Sequence, residues 1–136
     1  MEGIFAIFAG GKLILFFMNM QQGFMLPDWA KGTNCAITVC DAECKILYMN
    51  DKARATFAKY GDLIGADLLG HHNERSVGII KGLMAGGGVN CYTIEKGGVR
   101  KMIYQTAWRA ADGTVGGLVE ISMELPAGEL PHYVRD

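Results

Sequence analysis

The sequence lacks an excess of basic residues, a cysteine framework and a long uninterrupted apolar run. Thirteen Lys and Arg residues stand against fourteen Asp and Glu residues, giving a formal net charge of −1 in 136 residues. No basic stripe is present, so direct binding of nucleic acid by this chain is not expected. The four cysteines are too few and too unevenly spaced for a disulfide framework. They predict free thiols in a reducing cytoplasm.

The motifs of the common enzyme classes are also missing. The sequence contains no G-x-S-x-G, no phosphate loop and no zinc-protease motif. A triple glycine at 86–88 follows a predicted helix instead of preceding one, so it cannot place a phosphate at a helix N-terminus. The sequence therefore predicts no enzymatic activity and no catalytic residue.

Residues 4–20 are nearly all apolar, but Gly10, Gly11 and Lys12 interrupt them. A signal peptide requires a positive charge before its apolar run, and this sequence has none there. A central lysine costs about 2.5–3.5 kcal/mol in a membrane-spanning helix, so membrane contact by residues 4–20 stays open but is not favoured. We predict that residues 1–25 are an apolar extension packed on the domain or on a second subunit. An over-long gene start is the alternative.

The chain after residue 34 is organised around a hairpin followed by a capped helix. Residues 36–40 alternate in polarity, residues 46–49 form a short apolar run, and residues 41–44 suit a tight turn between them. Asn50 then precedes a segment with helical periodicity. We predict that Asn50 caps this helix and ties it to the hairpin, which is a structural role.

The remaining elements follow from periodicity. Residues 73–85 have the apolar pattern of a helix, and residues 89–95, 99–108 and 117–123 are β-rich runs separated by turns. The order is therefore two strands, several short helices and three strands. It predicts an α+β domain whose helices cover one face of an antiparallel sheet.

These elements set the predicted boundaries. We expect the domain to span residues 26–125, with Trp29 anchoring a helical turn into its core. The tail, residues 126–136, contains Leu130 and Tyr133 and is predicted to pack on the domain.

Three stretches, in this order and at this spacing, resemble the PAS domain family. The stretches are Ala-Ile-Thr-Val-Cys-Asp at 36–41, Ile-Leu-Tyr-Met-Asn at 46–50 with Ala53 after it, and Asp112-Gly113 leading into residues 117–122. The resemblance covers residues 35–124 and implies a five-stranded antiparallel sheet in the order 2-1-5-4-3, with short helices on one face. The segments at 68–74, 92–96, 104–106 and 131–133 are similar to a small bacterial subgroup consisting of little more than one PAS domain.

PAS domains are sensory and dimerisation modules of histidine kinases, cyclic-dinucleotide enzymes and transcription regulators. The resemblance implies a cytoplasmic homodimer that binds a small ligand, a protein partner or both, and that signals by a shift in dimer or helix packing. A separate kinase, cyclase or transcription regulator would receive the signal. A ligand-free dimerisation and adaptor module is the alternative, and a haem or redox sensor is the third.

Strand alternation and helical periodicity also predict which side chains line the space between sheet and helices. Most of these positions are equally suited to an ordinary core. Gln105 differs, because a polar group facing inward needs a partner such as a ligand or a buried water. His72 is expected at the pocket edge. The candidate lining residues are Ile37, Val39, Tyr48, Phe57, Leu69, His72, Ile80, Leu83, Tyr92, Ile103 and Gln105.

Cofactor sites are less well supported. His71 and His72 could ligate haem iron. In haem-binding PAS proteins, however, the ligand histidine lies further along the corresponding helix, nearer to Arg75 here. The cysteines depart from iron–sulfur spacing, and no cysteine lies between Asp51 and Val89, where flavin-binding photosensors carry their reactive thiol. No metal site is predicted, haem and flavin are disfavoured, and the cofactor is unknown.

Overall fold

The computed structural model describes residues 6–9, 12–15 and 28–136, which fall into two units, residues 1–30 and 31–136. The first unit contains a hairpin in which β1 (Ala6–Ala9) pairs antiparallel with β2 (Lys12–Leu15). No helix in the described part of the chain is long and apolar enough to cross a membrane. The predicted role of residues 1–25 falls largely outside the described residues and stays a prediction.

Residues 29–32 form a hydrogen-bonded turn where one helical turn is expected, and residues 33–35 form a bend. The first two residues of the expected turn, 26 and 27, lie outside the described residues. Trp29 is 73% exposed, so the prediction that it anchors a core is wrong. The core is built instead from residues of the strands and helices that follow this segment.

The second unit is built on a five-stranded antiparallel sheet in the order β4-β3-β7-β6-β5. Its strands are β3 (Ala36–Asp41), β4 (Ile46–Met49), β5 (Val89–Lys96), β6 (Val99–Arg109) and β7 (Val115–Glu124). Counted within this unit alone, the order is 2-1-5-4-3. The predicted α+β fold and its topology are therefore confirmed.

Two α-helices and two short 3-10 turns connect β4 to β5. They are α1 (Asp51–Thr56), the turns Ala58–Tyr60 and Leu68–His71, and α2 (Glu74–Gly86). Helix α1 packs beside β3 and β4, whereas α2 lies beside β5, β6 and β7. The side chains of Asn50, Asp67 and Asn73 each accept a hydrogen bond from a backbone N–H in the first turn that follows.

Asn50 has the capping role that its place before α1 predicts, and its side chain also forms hydrogen bonds with the backbone at the start of β3. Its Oδ1 accepts hydrogen bonds from the N–H of Ala53 at 3.0 Å and of Ile37 at 2.9 Å. Its Nδ2 donates to the carbonyl oxygen of Cys35 at 2.7 Å. The fully buried amide thus joins the start of α1 to the start of β3.

The core lies between one face of the sheet and the helices. Cys40, Met49 and Leu118 contribute from the strands, and Ile80 and Leu83 contribute from α2. Ile80 and Leu118 are fully buried. Burial of each such side chain stabilises the fold by about 1.5–3 kcal/mol before conformational entropy is counted.

A close contact fixes the position of β7 between its neighbours. The indole Nε1 of Trp108 in β6 donates to the carbonyl oxygen of Cys40 in β3 at 2.9 Å, passing over β7 at Gly116 and Gly117. A Cβ at Gly116 would lie 2.2 Å from the Trp108 ring, and one at Gly117 would lie 1.8 Å from the Cys40 oxygen. We call these residues the Trp108 clasp.

The tail begins at the end of β7. The N–H of Leu125 donates to the carbonyl of Arg100, and the Arg100 guanidinium donates to the carbonyl of Gly128 at 2.9 Å. Beyond this point Leu130, Tyr133 and Val134 are 51%, 74% and 86% exposed. Packing of these side chains on a single copy of the domain is not observed, and the division at residues 25 and 125 stays a prediction.

Candidate functional site

The register of the sheet decides which side chains face the helices. Thr38 and Cys40 of β3 pair with Glu120 and Leu118 of β7. Thr38 and Glu120 also line a cavity together with Phe57, the residue that ends α1. Because side chains alternate along a strand, these positions define the inner face of the sheet.

Three predicted lining residues, Ile37, Val39 and Tyr48, lie on the opposite face, so their predicted placement in the pocket is wrong. Val39 pairs with Tyr48 and with Val119, one position out of step with the inner face. A register shift after Val39 brings Cys40 opposite Ile46. As a result Ile46 and Met49, three residues apart, both join the core in place of Tyr48.

Three neighbouring cavities lie along the inner face. The inner cavity, of about 70 Å³, is enclosed by Phe57, Leu63, Leu68, the two histidines and sheet residues. The central cavity has a volume of about 210 Å³ and shares Thr38, Phe57, His72 and Glu120 with the inner cavity. The side cavity, of about 290 Å³, lies against α2 and shares Tyr92 with the central cavity. The remaining residues of the central cavity are Ala36, Thr56, Ile94, Lys101, Ile103 and Ser122.

Eight of the eleven predicted lining residues are on the helix side or the inner face. Phe57, His72, Tyr92 and Ile103 line the central cavity, and Gln105 lines the side cavity. Ile80 and Leu83 are core residues, against which Leu69 packs. Whether these residues bind a ligand stays a prediction.

A row of polar side chains crosses the inner face from the edge strand inward. Asn90 of β5 is opposite Gln105 of β6, which is opposite Glu120 of β7, which is opposite Thr38 of β3. Asn90 Nδ2 donates to Gln105 Oε1 at 2.7 Å, and Gln105 Nε2 donates to Glu120 Oε2 at 2.6 Å. Gln105 is 3% exposed, so these two bonds satisfy an amide that would otherwise be costly to bury.

The sequence indicated Gln105 but missed its two partners. Glu120 could have been found, because it is a lone charge within the apolar run Leu118-Val119-Glu120-Ile121. Buried strands seldom carry such a charge without a function or a partner. Asn90 gave no comparable signal.

The charge of Glu120 affects Tyr92 across the central cavity. Burial raises the pKa of the Tyr92 phenol, and the negative charge of Glu120 raises this pKa further. Tyr92 is therefore a neutral hydroxyl at physiological pH and can donate a hydrogen bond.

The two histidines at the cavity have different surroundings. His72 Nδ1 lies 2.8 Å from the carbonyl oxygen of Leu68. Because a carbonyl only accepts, Nδ1 carries the proton of this hydrogen bond, and Nε2 can accept a hydrogen bond only when the ring is neutral. His71 instead lies against Tyr60, with ring centroids 4.7 Å apart. Among the described residues, no group of three His, Cys, Asp or Glu side chains is arranged to hold a metal ion.

The buried cysteines lie apart from the polar row. Burial raises the pKa of the Cys40 thiol to about 11 and also raises the pKa of Cys44. Both are therefore protonated at physiological pH, and a protonated thiol is a poor nucleophile. Thiolate chemistry at these two positions is not expected.

Comparisons with known proteins place this arrangement in a structural class. No protein-family model and no curated protein matches the sequence. Among solved structures, the PAS domain of the histidine kinase ThkA is similar with a TM-score of 0.56 and 17% identity, over 67% of this chain and 99% of that one. The Aer2 receptor of Vibrio cholerae, described as a dual PAS-heme oxygen sensor, gives a TM-score of 0.52 and 18% identity, over 71% and 99%.

A third similar structure is the VqmA dimer of Vibrio cholerae, described among LuxR-type receptors. Its TM-score is 0.57 with 14% identity, over 79% of this chain and 54% of that one. At these identities the likeness concerns the fold. The chain has the PAS fold, as the resemblance in its sequence implies.

Proposed function

We propose that the chain is a PAS sensory module that binds a small molecule in the central cavity and signals by a shift in helix packing or in a homodimer. The observation that carries this proposal is the cavity itself, which has apolar walls and is also lined by Thr38 and Glu120 of the polar row. Small-molecule sites typically combine apolar walls with a few converging polar groups. A core that served stability alone would gain nothing from a carboxylate at this position.

The central cavity lies between two layers, the sheet and the helical segments. Tyr92, Ile103 and Glu120 belong to the sheet, whereas Phe57 and His72 belong to the segments around α1 and α2. A guest touching both layers favours the packing in which both sets of contacts are made. Complete switching from 1:99 to 99:1 needs about 5.5 kcal/mol of differential affinity.

The receiver of the signal is proposed to be a separate kinase, cyclase or transcription regulator in the cytoplasm. ThkA is a histidine kinase and VqmA is described as a dimer with a DNA target, so PAS folds occur in both contexts. We propose a homodimer for this chain and no enzymatic activity or direct nucleic-acid binding of its own. The even charge balance supports the last point.

Native mass spectrometry of the protein isolated from cells tests ligand binding. We expect an added small mass on the wild-type protein. Ser122→Phe, which fills the central cavity, should remove it. Thr93→Phe places the same ring on the exposed outer side of edge strand β5 and should retain it.

Equal thermal stability of the two variants, measured by circular dichroism, would separate loss of the guest from loss of the fold. If the wild-type protein carries no added mass, or if Ser122→Phe retains the mass, binding in the central cavity is disproved.

A ligand-free adaptor is the second candidate, because the tail presents exposed apolar side chains. Leu130, Tyr133 and Val134 are of the kind that interfaces bury. Under this hypothesis the protein is a dimer without any added mass, and removal of the tail releases monomers.

A further inference from the structure

The hydrogen bonds of the polar row fix which atoms of Glu120 are left for a guest. Gln105 accepts from Asn90 and donates to Glu120 Oε2, so its amide cannot be reversed without losing both bonds. In the described part of the chain, Glu120 Oε1 accepts no hydrogen bond and forms no ion pair. The half-buried side chain of Glu120 lines both the inner and the central cavity, and Oε1 is its oxygen without a partner among the described residues.

The walls and the volume of the central cavity limit the size and polarity of the ligand that fits. Phe57, Ile94 and Ile103 supply apolar walls. An apolar cavity of about 150 Å³ is known to hold benzene, and the central cavity has about 210 Å³. It is therefore large enough for a molecule of one ring with a short substituent.

The other polar groups at this cavity favour a donor over an anion. When its ring is neutral, His72 offers Nε2 as an acceptor, because Nδ1 donates to Leu68, and the Tyr92 hydroxyl can either donate or accept. Lys101 also lines the cavity and would favour an anion, but its side chain forms no ion pair with a described residue. Glu120, in contrast, is oriented by the hydrogen bond from Gln105, and a preorganised charge loses less entropy when it binds a guest.

We propose that the central cavity binds a small amine or nitrogen heterocycle whose ammonium or N–H group donates to Glu120 Oε1. Its apolar body lies against Phe57, Ile94 and Ile103. The carboxylate rejects guests of like charge and supplies a charge-assisted hydrogen bond to those it accepts. This inference rests on the proposed function and adds to it the chemical class of the ligand.

Three probes of nearly equal size and different charge test the ligand class on the wild-type protein. Benzylamine is a cation at pH 7, benzyl alcohol is neutral and benzoate is an anion. Titration followed by ¹H–¹⁵N NMR should give the tightest binding for benzylamine, about tenfold or more tighter than benzyl alcohol, with the weakest binding for benzoate. The shifted amides should be those of Phe57, His72, Tyr92 and Ile103.

Two variants in strand β7 test whether the charge of Glu120 contributes to binding. Glu120→Gln keeps one oxygen that can accept from Gln105, so the row stays closed, but it removes the charge. Benzylamine affinity should then fall about tenfold, towards that of benzyl alcohol. Glu124→Gln makes the same change four residues later, at an exposed position outside this cavity, and should leave the affinity unchanged.

The outcomes distinguish this inference from the proposed function. If benzoate or benzyl alcohol binds the central cavity as tightly as benzylamine, or if Glu120→Gln has no effect, the ligand class is wrong and the cavity remains a binding site. If no probe shifts the cavity residues, the ligand class is also wrong. The proposed function then fails as well if the protein from cells carries no added mass. Should Glu120→Gln not fold, the ranking of the three probes on the wild-type protein still decides.

Discussion

The side chain of Asn50 holds two elements together through three hydrogen bonds. Its position in the sequence predicted the bond to α1, because Asn before a helical segment is a common N-cap. The bonds to Ile37 and Cys35 fit the predicted tie to the hairpin. Chain order could not reveal these two partners, because they lie thirteen and fifteen residues away.

We expect Asn50→Ala to lower the free energy of unfolding by about 2–4 kcal/mol. The variant loses the cap and also leaves the buried N–H of Ile37 and carbonyl of Cys35 without a partner. Urea unfolding followed by circular dichroism measures the change.

Asn73→Ala is the matched control for this prediction. Asn73 also caps a helix, but it is exposed, and its side chain accepts the capping bond from Ser76. Its loss should cost about 1 kcal/mol. Equal costs for the two variants would show that the bonds from Asn50 to β3 contribute nothing.

At the scale of elements, the core face of helix α2 was predicted correctly, whereas the inward-facing side chains of strands β3 and β4 were not. The 3.6-residue period of α2 put Ile80 and Leu83 in the core, as observed. In β3, however, Ile37 is as well buried as Thr38, so polarity does not tell the two faces apart. The register shift in β4 then breaks the two-residue period, and no residue in the sequence marks it.

The Trp108 clasp gives a prediction at this scale. Gly117→Ala would place a Cβ 1.8 Å from the Cys40 oxygen, so β3 and β7 would have to separate locally. We expect a loss of about 3 kcal/mol or more in the free energy of unfolding, because backbone cannot yield as a side chain can. Chemical denaturation measures it.

Gly78→Ala makes the same chemical change in the exposed middle of α2, where nothing apart from the adjacent residues and the helix's own backbone lies within 4 Å of the new methyl group. It should stabilise the protein by about 0.5–1 kcal/mol through helix propensity. A neutral Gly117→Ala variant would contradict the close approach at the clasp.

For the molecule as a whole, the topology followed from the order of elements. Two strands, helices and three strands allow few arrangements of a sheet covered on one face, and the observed order is the expected one. The first unit ends at Ala30, and the predicted boundaries at residues 25 and 125 stay predictions. Apolar composition suggested that the tail packs on its own domain, but composition cannot distinguish that surface from the surface of a partner.

Removal of residues 129–136 tests the role of the tail. Because Leu130, Tyr133 and Val134 are exposed, we expect the unfolding free energy of the domain to change by less than about 0.5 kcal/mol. If these side chains form the dimer interface, the truncated protein should elute as a monomer in size-exclusion chromatography with light scattering.

Tyr133→Ser in the full-length chain is a milder version of the same test and should weaken the dimer while leaving circular dichroism unchanged. A large loss of domain stability after truncation would instead show that the tail packs on its own copy.

The residues of the Trp108 clasp do not line the central cavity, but they hold the register that places Glu120 there. If β7 slid by one residue past β3, Val119 would replace Glu120 on the inner face and the carboxylate would turn to the far side. The clasp opposes that slide. Single substitutions along this face can therefore change the chemistry of the cavity, while the register of the strands stays as it is.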